Sequence, residues 1–177
     1  MISITEKKEI QDLHLQAFGK EEGPLIYDMV GDMLSDPETI SINLEQEGRV
    51  VGNVLFTPFK LNDHTDKKCY LLAPIGILPE MHGQGLGKEL IDKGIAHLES
   101  MDVDAVFVLG YPKYYGIRDF YPTWVCLPYQ TEVKRIDAWK MRELKSGSMA
   151  EVGGTSECCK SMQKPMFWDL NYEPGNQ

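Results

Sequence analysis

Basic residues are scarce in this chain. Its 177 residues carry 18 Lys and Arg against 27 Asp and Glu, for a net charge of −9. Without a basic stripe to displace counterions from phosphates, nucleic acid is not expected as the main ligand. Long apolar runs are lacking too. The longest, Tyr70 to Leu78, falls well short of the roughly 18 residues a membrane span needs, so no membrane segment is expected. The opening "MISITEKKEI" mixes charges where a secretory signal needs an apolar block. There are four cysteines (Cys69, Cys126, Cys158 and Cys159) with no CxxC spacing, and the four histidines are scattered. That pattern leads to neither a disulfide framework nor a metal site. It fits reduced thiols in a cytoplasmic protein.

What is present is the material of one ordinary domain. The hydrophobic fraction is 42% and the aromatic fraction 10%, and no linker, repeat or low-complexity segment divides the chain, so residues 1–177 read as one domain. Ser3 to about Phe18 reads as a strand end turning into a helix with Ile10, Leu13, Leu15 and Phe18 on its apolar face. Gly23-Pro24 breaks the chain, and a second amphipathic helix carries Leu25, Ile26, Met29, Val30 and Met33. Ile40, Ile42 and Leu44 alternate with polar residues, Glu47-Gly48 is a turn, and Arg49 to Phe56 is apolar and β-branched, which makes a hairpin. Tyr70 to Leu78 is apolar on both faces, as in a central strand. Gly85 to about Ser100 is the clearest helix, with Leu90, Ile91, Ile95 and Leu98 inward. A short strand, Ala105 to Leu109, follows it. Strand, glycine turn, helix and strand form a βαβ-type unit. Beyond lie an aromatic-rich turn and helix, Tyr111 to Phe120, a strand near Trp124 to Leu127, and less regular material.

The informative stretch is "LPEMHGQGLGKEL", Leu78 to Leu90, where three glycines sit between a strand and a helix. It is not a P-loop, because the first glycine of GxxxxGK[ST] falls on His82 and the residue after Lys88 is Glu89. It is not a dinucleotide fingerprint either, because the third glycine of GxGxxG falls on Lys88. A helix N-terminus still offers free amides and partial positive charge, and glycines let a pyrophosphate approach them.

His82-Gly83-Gln84-Gly85-Leu86-Gly87, preceded by Ile77-Leu78-Pro79, resembles the Gln/Arg-x-x-Gly-x-Gly/Ala loop of the GNAT superfamily of N-acetyltransferases, with His82 in place of Gln or Arg. The later "VLGYPKYYGIRDFYP" is similar to that family's Tyr-x-x-x-Gly-Phe helix. Tyr115 and Phe120 have its spacing and Asp119 stands in place of its glycine. The resemblance is specific over residues 70–122 and looser elsewhere.

The resemblance implies an α/β (α+β) single-domain acyl-CoA N-acyltransferase fold. Its mixed, mostly antiparallel central sheet is splayed between the strands around Ile77 and Leu109 and flanked by helices. It implies acetyl-CoA as acyl donor, its diphosphate on the amides from Gly83 through Gln84, Gly85, Leu86 and Gly87 to Lys88, with His82 at the family's side-chain contact position. Its pantetheine amides would pair with the main chain of Ile75 and Ile77, and its departing thiolate would meet Tyr115, with Tyr114 as the alternative. The acceptor would be an amine attacking directly in a ternary complex. Glu21, Glu22 and Asp28 are candidates for the base, and a homodimer is within the family's habits. A protein that senses acyl-CoA with little turnover is the other reading of the same residues.

Overall fold

The computed structural model describes residues 3–110, 119–125, 127–128 and 138–168. These form two compact units: residues through Thr57 with Leu72–Met101, and Pro58–Leu71 with the residues from Asp102 on.

The first unit begins with helix α1, Ile4–Met33. Ser3 is not the end of a strand. Its hydroxyl accepts the amide of Glu6 at 3.1 Å and caps the helix, satisfying a donor that a strand would have turned to a neighbour. The helix is broken at Gly19, at φ 71° and ψ −165°, so the break comes ahead of Gly23-Pro24. Along the N-terminal half the buried row is Ile10, Leu13 and His14. Leu15, expected inward, is 36% exposed. Met29, Val30 and Met33 are buried on the C-terminal half.

Strand β1, Ile40–Gln46, pairs antiparallel with β2, Arg49–Leu61, through the expected two-residue turn. Glu47 and Gly48 both have positive φ, the geometry that matches the twist of a tight hairpin. Strand β3, Cys69–Ile77, lies beside β2. A short 3₁₀ turn, Pro79–Met81, and the glycine loop lead into helix α2, Leu86–Ser100. Leu90, Ile91, Ile95 and Leu98 of α2 are all buried. The two helices cover opposite faces of these strands. Gly76 faces Leu13 and His14 of α1, while the neighbouring Ile77 packs over Gly52 next to Leu90 of α2.

In the second unit the strand order runs from the end of β2 through the start of β3 to β4 (Ala105–Leu109), β6 (Trp139–Glu143) and β5 (Tyr121–Pro122). β7, Ser156–Glu157, pairs with β2. β3 and β4 are parallel, pairing Cys69, Tyr70 and Leu71 with Ala105, Val106 and Phe107. The β4–β6 and β6–β5 pairs are antiparallel. The sheet is thus mixed and mostly antiparallel, as expected.

The strand expected near Trp124 to Leu127 falls earlier, at Tyr121–Pro122, and Trp124, Val125 and Leu127 are not in it. The Val125 amide goes to Thr123 Oγ1 at 3.3 Å and its carbonyl accepts Trp139 Nε1–H at 2.8 Å, so side chains occupy the groups a ladder would need. The core here is aromatic. Phe59, Phe107 and Trp139 have ring centroids 4.6 to 5.7 Å apart, and Trp168 meets Trp139 edge-on at 6.0 Å. Such pairs add about 1 kcal/mol each beyond the area they bury.

Candidate active site

The glycine loop is built to leave amides free. After the 3₁₀ turn, His82 is extended, and Gly83 and Gly85 take φ 80° and 79°. An L side chain adopts that left-handed conformation only at a cost. Space is not the reason for glycine here, because a Cβ on either residue would meet nothing within 4 Å. The reasons are backbone conformation and the open approach that results. Gly85 is the N-cap of α2, and no side chain caps the helix. Its carbonyl accepts the amides of Lys88 at 3.0 Å and Glu89 at 3.2 Å. Among the described residues, the amides of Gly83, Gln84, Gly85, Leu86 and Gly87 donate to no protein acceptor. A 15-residue helix therefore opens with consecutive donors left without a protein acceptor at its positive end, an arrangement suited to an anion.

The side chains around the loop turn away from it or pair among themselves. His82 Nε2–H donates to the carbonyl of Ile77 at 3.1 Å, which ties the loop to the end of β3. Lys88 pairs with Asp92 one turn on, and Lys93 with Glu89 at 3.0 Å. Leu86 is buried and anchors the helix start. Ile75 and Ile77 are half-buried on β3, and the backbone amide of Leu78 donates to Val51 at 3.0 Å.

The structure thus brings Ile75, Ile77 and the whole stretch from His82 to Lys88 into one unit. Tyr114 and Tyr115 lie outside the described residues. Asp119 is described, and its φ of 59° is the conformation a glycine would take most easily. Aspartate tolerates it better than most residues, so backbone demand explains why a glycine can be replaced here by this residue. Phe120, next to it, is fully buried. Of the candidate bases on α1, Glu21 and Asp28 are exposed and Glu22 is half-buried.

Sequence reading missed His14. It is 0% exposed, and Nε2 lies 2.8 Å from Asn53 Oδ1. Asn53 Nδ2 reaches Ser41 Oγ at 2.8 Å, Asn43 Oδ1 at 2.7 Å and the Ile42 carbonyl at 3.3 Å. The amide nitrogen is thus committed as donor, so Asn53 Oδ1 accepts and His14 carries its proton on Nε2. Nδ1 is buried without a partner. Burial pushes the imidazole down to about 4, against the raising effect of the Asn53 bond, so the ring is neutral at ordinary pH. A buried lone pair left unmatched costs about 1–3 kcal/mol. The available signal was position, since His14 follows Ile10 and Leu13 at helical spacing.

Among the described residues no three His, Cys, Asp or Glu side chains converge as metal ligands, and no described helix is long and apolar enough to cross a membrane.

Comparison with known proteins bears on this geometry. Residues 7–121 match the model of the acetyltransferase (GNAT) family. The uncharacterized N-acetyltransferase YjhQ of Escherichia coli K12 is 32% identical over 162 residues, spanning 85% of this chain and 87% of that protein. Among solved structures, the GNAT family N-acetyltransferase YhbS from Escherichia coli in complex with CoA matches with a TM-score of 0.78 at 21% identity, over 93% of this chain and 89% of that one. A GNAT family acetyltransferase from Brucella melitensis in complex with acetyl-CoA matches with a TM-score of 0.68 at 20% identity, over 91% and 94%. The fold is theirs, and the family match covers both the glycine loop and β3. This chain belongs to the GNAT family of acetyltransferases and is an acyltransferase.

Proposed function

We propose that the protein transfers an acetyl group from acetyl-CoA to a primary amine by direct attack in a ternary complex. The observation that carries the donor assignment is the run of amides from Gly83 to Gly87 without a protein acceptor, opening a 15-residue helix between left-handed glycines. A diphosphate matches those donors without needing a basic side chain, which suits a chain of net charge −9. The CoA and acetyl-CoA bound by the structural relatives are in keeping with this.

In this reading the pantetheine amides pair with the main chain of Ile75 and Ile77 as an added strand would. The amine nitrogen attacks the thioester carbon, the C–N bond forms, and an N–H of β3 near Ile77 meets the oxyanion charge. The C–S bond then breaks. Tyr115 hydrogen-bonds the leaving thiolate and gives it its phenolic proton, and the surplus proton of the amine nitrogen passes to solvent water, from which the tyrosinate is reprotonated.

Titration calorimetry with CoA, and thiol release from acetyl-CoA over a panel of amines, test it. Wild type is expected to bind CoA and to turn over at least one amine. Gly85→Glu, which puts a carboxylate among the amides, should abolish binding. Tyr115→Phe should bind CoA normally and lose most turnover. Absence of CoA binding by wild type, or undiminished binding by Gly85→Glu, removes the donor assignment. Tight binding with no turnover of any amine favours the acyl-CoA sensor instead.

A further inference from the structure

The fully buried His14 lies against the one residue of β3 that separates Ile75 from Ile77. A Cβ built on Gly76 would stand 2.7 Å from His14 Nδ1, 3.0 Å from its Cε1 and 3.2 Å from Leu13 Cδ2. No side chain fits there, so the imidazole rests directly against the main chain of the strand. The ring cannot choose its own orientation. Asn53 Oδ1 holds Nε2, and Asn53 is itself held by Ser41, Asn43 and the Ile42 carbonyl. Phe18 stacks with the ring at a centroid distance of 6.0 Å and an interplanar angle of 26°. A phenyl group would fill the same volume without leaving a buried nitrogen unmatched. What a phenyl lacks is the bond to Asn53 that sets the ring's rotation and depth, and hence the position of the strand it touches.

We propose that His14 is a positioning residue for the donor strand: locked by Asn53, it holds the main chain of β3 at Gly76 in the place the pantetheine arm requires. This rests on the reading of Ile75 and Ile77 as the donor's main-chain partners. Added-strand pairing is sensitive to displacement, because its hydrogen bonds have little tolerance in distance or angle, and sites of this kind need placement within about 0.5 Å. His14 touches neither donor nor acceptor in this role. It acts through Gly76.

The test is a double-mutant cycle read by CoA calorimetry on the full chain, with binding stoichiometry reporting the folded fraction. Gly76→Ala drives a methyl group into the imidazole and should weaken CoA at least tenfold at unchanged stoichiometry. In the His14→Asn background, where the ring is gone, the same substitution should cost less than twofold. Asn53→Ser, which frees the ring while adding no atom at Gly76, should weaken CoA at least threefold, and it covers the case in which Gly76→Ala does not fold. A purely structural role would lower the melting temperature and the stoichiometry and leave Kd where it was, and that result overturns the proposal. An equal cost of Gly76→Ala in both backgrounds overturns it as well. Failure of wild type to bind CoA instead brings down the donor reading first, and this role with it.

Discussion

His14 of α1 donates from Nε2 to Oδ1 of Asn53 on β2 across 2.8 Å, so one neutral imidazole joins a helix to the hairpin through a fully buried bond. Protonating Nδ1 would leave that bond in place but would put a charge on a buried ring, which makes the fold's stability depend on pH.

With the His14 pKa held at about 4 in the folded protein and 6.5 as its ordinary value, the unfolded chain binds the extra proton between those limits. Stability should be complete above pH 6.5, fall as pH drops toward 4, and be about 3 kcal/mol lower beyond that point from this group alone. Urea unfolding from pH 4 to 7.5 measures the slope. A His14→Gln variant should lose it, and a variant with the same slope would assign the effect to other groups.

Lys88 is 65% exposed and paired with Asp92 on the same helix. An exposed pair of this kind contributes about 0.5 kcal/mol or less, so Lys88→Ala should scarcely move the melting temperature. If backbone amides do the gripping, CoA affinity in that variant should fall by about fivefold at most, the worth of one solvated charge. A loss approaching that of Gly85→Glu would make the ammonium, not the amides, the main anchor.

Asp104 is buried at the start of β4, accepting the Lys68 amide at 2.8 Å and lying 3.3 Å from Lys145 Nζ. Desolvation opposes its charge, but the Lys68 amide and Lys145 outweigh that and keep the carboxyl below its usual range. Its contribution should be present above the ordinary carboxylate pKa and vanish as pH falls through the lower folded value. Asp104→Ala, which removes the carboxylate that accepts the Lys68 amide and pairs with Lys145, should cost about 2 kcal/mol at pH 7 in chemical denaturation, and Asp104→Asn less.

Trp139 packs against Phe59, Phe107 and Trp168 and donates Nε1–H to Val125. Trp139→Phe keeps most of the ring contact but leaves that carbonyl unpaired, for an expected loss of about 1–3 kcal/mol. Trp139→Ala should lose about 3–5 kcal/mol through the cavity. Equal costs for the two would mean the hydrogen bond carries the position and the packing little.

Helix α2 and the β1–β2 hairpin were legible because each satisfies its pattern locally: a 3.6-residue apolar period behind a glycine, and alternation around Glu47-Gly48. Strands β6 and β7 were not. Trp139–Glu143 alternates only over Trp139 to Arg142 and Ser156–Glu157 is two residues long, too little to mark a strand, and they become strands by pairing with β4 and β2, far away in sequence. Ser3 looked like a strand end until its hydroxyl was seen to cap a helix. Leu15 looked buried until the helix turned His14 inward in its place.

The glycine loop and its place between strand and helix were determined by sequence alone, because left-handed backbone and open amides are properties of a few consecutive residues. The setting of His14 against Gly76 was decided only by tertiary structure. A buried histidine costs more than it contributes until Asn53, from another strand, arrives to hold it. Contacts between residues 14, 53 and 76 leave no periodic trace in the chain, since each depends on how helix and sheet are packed rather than on what stands beside it.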